Sequence, residues 1–112
     1  MGLKRLLIGA VLASLAATAN AAPRAKTRFD GIRDCERLAA VQFRRHNVAF
    51  RRFTIDRAKV SVDRFSDRVG GSFISQVYHG GATYDAGKGP DPTRFICLHG
   101  GQDALFVYTM PQ

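Results

Sequence analysis

The stretch Cys35-Glu36-Arg37-Leu38-Ala39-Ala40-Val41-Gln42-Phe43-Arg44-Arg45-His46 decides the fold. Cys35, Leu38, Ala39, Gln42, Phe43 and His46 recur at steps of three and four, and Ala49 and Phe50 continue the series, which places them on one face of a helix. Arg37, Arg44, Arg45 and Arg51 take other faces. Asp30 is expected to cap the start. Asp34 and Glu36 then fall in the early turns and the arginines later, so each helix end meets charge of the favourable sign. The pattern predicts one amphipathic helix over residues 31–50, with Asn47 offering an earlier, left-handed stop. His46, on the apolar face, reads as a core histidine held by a hydrogen bond.

Beyond Phe53 the period changes to two. Val60 and Val62 alternate with Lys59, Ser61 and Asp63 as in a half-buried strand, and residues 66–71 read as a turn. A second strand is expected over residues 73–84, interrupted at Gly80-Gly81, where a bulge or a sharp coil would suit glycine. The glycine- and proline-rich residues 85–92 read as a loop. Two more strands, 94–99 and 105–110, flank Gly100-Gly101-Gln102-Asp103, which is hairpin material. The fold class is therefore α+β: one N-terminal amphipathic helix packed on a four-stranded antiparallel sheet, helix then β-β-β-β. This order is similar to that of cystatin-like and other small helix-on-sheet folds, a likeness of architecture alone.

Upstream of the helix, Lys4-Arg5, an apolar run from Leu6 to Ala19 and the small-residue end Ala19-Asn20-Ala21 have the three parts of a cleavable secretory signal. The run is shorter than the about 20 residues that cross a bilayer, so no transmembrane segment is expected in the mature form. The reading is a signal peptide over 1–21, a flexible leader over 22–28 and a single small domain over 29–112, exported to a periplasm or secreted. The chain carries a formal net charge of +8, and all nine acidic residues lie beyond the signal. The mature chain stays basic even without Lys4 and Arg5. In an oxidising compartment its two cysteines, Cys35 and Cys97, are expected to pair. A loop that long gives an entropic stabilisation of about 4 kcal/mol before strain.

Candidate chemistry is sparse. His-Gly-Gly occurs twice, at His79-Gly80-Gly81 and His99-Gly100-Gly101. If the strands flanking the 85–92 loop pair so that His79 stands opposite His99, the two imidazoles become neighbours, with Arg94 and Lys88 at hand for an anion. That arrangement underlies the alternative function, a small secreted hydrolase of ribonuclease type using His79, His99 and Arg94. A register change of one residue would part them. Asp63, Asp67, Asp85, Asp91 and Asp103 read as turn aspartates without the spacing of a calcium loop. Ser66, Ser72 and Ser75 lack a nucleophile elbow. No cofactor and no metal is expected.

Arg44, Arg45, Arg51 and Arg52, with Arg57 beyond, cluster where the helix leaves for the first strand, with Phe43, Phe50 and Phe53 interleaved. They are the candidate contacts for an anionic envelope component or an acidic protein; an exported chain is not expected to meet nucleic acid. Strand alternation supplies the last expectation. If Cys97 faces the helix, Phe95 shares its side and Ile96 and Leu98 turn to the other. Phe106, Tyr108 and Met110 likewise oppose Leu105 and Val107. A sheet apolar on both faces needs cover on the second, so Ile96, Leu98, Phe106 and Tyr108 are expected to meet a protein partner or a second copy of the chain. The expected function is thus an exported binding or interaction protein of the bacterial envelope, an inhibitor or accessory module, rather than an enzyme.

Overall fold

The structure, a computed structural model, describes residues 27–110. The expected signal peptide and most of the expected leader lie outside the described residues. Within them, helix α1 (Arg28–His46) precedes strands β1 (Arg52–Val69), β2 (Ser72–Asp85), β3 (Pro90–His99) and β4 (Ala104–Met110). The strands form one sheet in the order β1-β2-β3-β4, antiparallel throughout. The α+β class and the helix-then-four-strands order are those expected from the pattern.

The helix begins earlier than the apolar period indicates. Thr27 is the N-cap: its hydroxyl accepts the Asp30 N–H at 3.2 Å, and the Asp30 carboxylate accepts the Thr27 N–H at 3.0 Å. Asp30 is therefore the return half of a capping box rather than the cap, and the last two residues of the expected leader belong to the fold. Asn47 does stop the helix, but in extended conformation (φ −147°) rather than left-handed. Its side chain fixes the exit, donating to the Ala86 carbonyl at 3.1 Å and accepting the Ala49 N–H at 2.9 Å. The whole last turn, Arg44 to His46, is exposed, so His46 is not the core histidine that its place on the apolar face indicates.

Ile32, Cys35 and Ala39 on α1 are fully buried and meet Tyr78, Phe95, Cys97 and Val107 from the sheet, with Phe53, Ile55 and Val60 of β1. The Cys35–Cys97 disulfide ties α1 to β3 across a separation of 62 residues, with Cα atoms 6.1 Å apart. Gly31 lets α1 approach β2: a Cβ there would lie 1.9 Å from the Tyr78 hydroxyl. Such contacts fix the distance between the two layers.

Helix side chains also form hydrogen bonds, as donors and as acceptors, with the backbone of both edge strands. On β1, the Glu36 carboxylate accepts the Ile55 N–H at 2.8 Å and grips Arg57 through two bonds of 3.0 Å, while the Arg28 guanidinium donates to the Val60 carbonyl. On β4, the Gln42 amide donates to the Val107 carbonyl at 3.1 Å and accepts the Val107 N–H at 3.3 Å. The β1 contacts come from the first half of α1 and the β4 contact from its second half, so the helix crosses the sheet from one edge toward the other. A twisted sheet coils about the helix packed on it, and the side away from α1 is its convex face.

β1 is much longer than the period-two signal indicates. The expected 66–71 turn shrinks to Gly70-Gly71, and the register shifts between Ile55 and Val60 and again between Arg64 and Asp67. At the first shift β1 bulges by several residues opposite Gly80. That glycine (φ +150°) lies so close that a Cβ would sit 1.9 Å from the Lys59 carbonyl oxygen. The interruption expected in the second strand at Gly80-Gly81 thus falls in β1 instead, and β2 runs unbroken from Ser72 to Asp85 because its glycines leave room for the bulge opposite.

Candidate functional site

The convex face follows from strand register. In β3, Thr93, Phe95, Cys97 and His99 point to α1 and are buried, so Arg94, Ile96 and Leu98 take the opposite side. Ile96 lies between His79 of β2 and Tyr108 of β4, and Leu98 between Val77 and Phe106. The Phe106 and Tyr108 rings stack with centroids 6.3 Å apart, and Tyr108 is 53% exposed. Phe73 and Met110 extend the apolar strip at 49% and 39% exposure. Among the described residues nothing packs on this face; α1 lies on the other. Ile96, Leu98, Phe106 and Tyr108 are thus brought together on one open surface.

The two histidines are not neighbours. Ile96 stands opposite His79 and Gln76 opposite His99, three residues from the register that would pair them. An odd shift puts the rings on opposite faces of the sheet. The cause is the loop: β2 continues to Asp85 and β3 already starts at Pro90. The Asp85 carboxylate pins the short connection by accepting the N–H groups of Gly87 (2.8 Å) and Gly89 (3.2 Å). Pro90 and Pro92 precede the part of β3 that pairs with β4, where a missing N–H is tolerated. With the rings parted, His79, His99 and Arg94 do not converge on one substrate group.

Each histidine instead has its own carboxylate. His99, 1% exposed, accepts the Gly101 N–H at Nδ1 (3.0 Å), which leaves the proton on Nε2 to donate to Asp34 at 2.9 Å. Both ring nitrogens are satisfied, and Tyr78 packs edge-on at 5.7 Å. Burial, reinforced by the Asp34 charge, pushes the Tyr78 hydroxyl above the usual tyrosine range. His79 lies on the convex face with Nε2 2.7 Å from Asp63. Asp63 is therefore a mid-strand partner of β1, not a turn residue, and Asp67 also lies within β1.

The expected arginine cluster divides. Arg44 and Arg45 end the helix, and the Arg44 guanidinium lies over the Phe50 ring at 5.7 Å. Arg57 is held by Glu36, whose hydrogen bonds keep its guanidinium above the ordinary arginine range. Arg51 and Arg52 stay together and line a concavity with Thr54, Thr83, Asp85 and Pro90 at the β1–β2 end of the sheet. The interleaved phenylalanines are core: Phe43 lies 5.8 Å from Phe50, 5.6 Å from Phe53 and 5.0 Å from Tyr84. Their rings pack on one another, tilted or edge to face.

No group of three or more His, Cys, Asp or Glu side chains with metal-holding geometry occurs among the described residues. No helix there is long and apolar enough to cross a membrane. Compared with protein families, curated proteins and solved structures, the chain matches none. The convex face, with its apolar strip and the Arg51–Arg52 concavity, is the candidate site.

Proposed function

We propose that this protein is an exported binding module that docks a protein partner on the convex face of its sheet. The observation that carries this reading is the strip Val77, Ile96, Leu98, Phe106 and Tyr108, apolar and unaccompanied among the described residues. Contiguous apolar side chains on an open sheet face are seldom left in water without a binding role. The rival docking mode, addition of a strand to a sheet edge, is opposed by the helix, whose side chains already hold backbone groups of β1 and β4. The disulfide and the N-terminal signal pattern support an oxidising compartment, a periplasm or the exterior.

The test is capture from envelope extract by the oxidised mature protein and by its Ile96→Asp/Tyr108→Asp variant. A protein retained by the wild type and lost by a variant that still melts cooperatively supports the reading. Equal capture by both contradicts it.

A further inference from the structure

The convex face carries cations as well as apolar side chains. At its β1–β2 end Arg52 stands opposite Asp85, and Thr54 opposite Thr83, around the concavity that Arg51 completes. Arg94, opposite Gly81 and Met110, lies between that concavity and Ile96. Among the described residues Arg51, Arg52 and Arg94 make no ion pair. The carboxylates of the face are engaged locally: Asp63 by His79, Asp85 by the loop N–H groups and Asp56 by the Ala58 N–H. Forked guanidinium donors without acceptors, set beside an apolar strip, define the missing complement as carboxylates beside apolar side chains.

Charge and shape narrow the source. A second copy brings to this face only the same carboxylates, each already engaged locally, and so supplies no acceptors for Arg51, Arg52 and Arg94. A bilayer is a plane, whereas sheet twist turns the concavity on β1–β2 away from the plane of the β3–β4 strip. A protein surface can follow that turn. Building on the docking reading above, we infer that the convex face binds an acidic segment of a partner protein. Its carboxylates pair with Arg51, Arg52 and Arg94, and its apolar side chains lie on Ile96, Leu98 and Tyr108.

The probes are a random peptide display library and vesicles of phosphatidylglycerol and phosphatidylcholine, both presented to the oxidised mature protein. Selection is expected to enrich peptides that combine Asp or Glu with Phe, Leu or Ile. A synthesised selected peptide is expected to bind less tightly as salt rises and to lose about ten-fold or more in affinity toward a folded Arg52→Gln/Arg94→Gln variant. Selected peptides that lack acids, or that bind this variant as well as the wild type, overturn the acidic partner; the docking face survives if Ile96→Asp/Tyr108→Asp still abolishes their binding. Peptides indifferent to Ile96→Asp/Tyr108→Asp overturn the docking face itself. Arginine-dependent vesicle binding without peptide enrichment overturns the inference in favour of a lipid surface, and binding to neither probe overturns it outright.

Discussion

The Gln42 side chain holds Val107 as a neighbouring strand would, donating to its carbonyl at 3.1 Å and accepting its N–H at 3.3 Å. A primary amide offers the same donor and acceptor pair as a peptide group, so one helical residue completes the centre of an edge strand. β4 has particular need of this, because Ala104–Met110 contains no charged residue and no proline to discourage pairing with another chain.

Replacing Gln42 with leucine removes both bonds and opens that edge. The expected cost is about 1–2 kcal/mol, read as a lower urea midpoint, accompanied by concentration-dependent association in sedimentation velocity. A variant that keeps the wild-type midpoint and remains unassociated would show that Gln42 guards nothing.

The two His-Gly-Gly copies are expected to behave differently. Removing the Asp34 carboxylate by Asp34→Ala leaves the buried Nε2–H of His99 without that acceptor, at a cost of about 1–3 kcal/mol. His79→Ala breaks an exposed pair with Asp63, for which about 0–1 kcal/mol is expected. Chemical denaturation of the two variants decides it, and equal losses would contradict the burial assigned to His99.

Gly31→Ala sets two effects against each other. Alanine is the better helix former by about 1 kcal/mol, but the new Cβ would lie 1.9 Å from the Tyr78 hydroxyl oxygen and 2.4 Å from its ring carbon. Overpacking against a fully buried ring costs about 1–3 kcal/mol, so a net loss is expected. A rise in melting temperature would mean that α1 and β2 are not held at this distance. Tyr78→Phe is expected to relieve only part of the clash, since the ring carbon remains.

Tyr78 also gives the fold an alkaline limit. Its hydroxyl titrates higher when folded than its ordinary value of 10.0, chiefly through burial. Above about pH 10 the unfolded chain gives up this proton more readily than the folded one, so stability falls as pH rises through that range and is unaffected below it. Denaturation midpoints between neutral and alkaline pH are expected to decline less steeply in Tyr78→Phe. Identical profiles would contradict the assignment.

Much of this fold was legible in the sequence because period and burial agree along most of it. The 3.6-residue repeat of α1 and the alternation in β3 and β4 reflect side chains that are in fact covered or uncovered in turn. The far half of β1 was not legible: from Asp63 to Val69 nearly every residue is exposed, so neither face writes an apolar pattern. The histidine register failed for a related reason. A hairpin register depends on the loop centre, and glycine and proline at residues 85–92 marked a loop without showing that Asp85 and Pro90 already belong to the ladder. At the site, the split between Ile96 and Leu98 on one side and Phe95 and Cys97 on the other could be read from alternation alone. The partnerships of Gln42 with Val107, Asp34 with His99 and Asp63 with His79 could not, because each joins residues that only the fold brings together.

Everything proposed for the convex face depends on its being surface rather than core. Thermal denaturation of the oxidised Ile96→Asp/Tyr108→Asp variant, followed by far-ultraviolet circular dichroism, tests that directly. Half-buried and exposed residues on an uncovered face should accept the charges, leaving the helical signal intact and one cooperative transition within a few degrees of the wild type, about 1 kcal/mol in a domain of this size. Loss of the helical signal or of cooperative melting would place Ile96 and Tyr108 in the core and remove the docking surface.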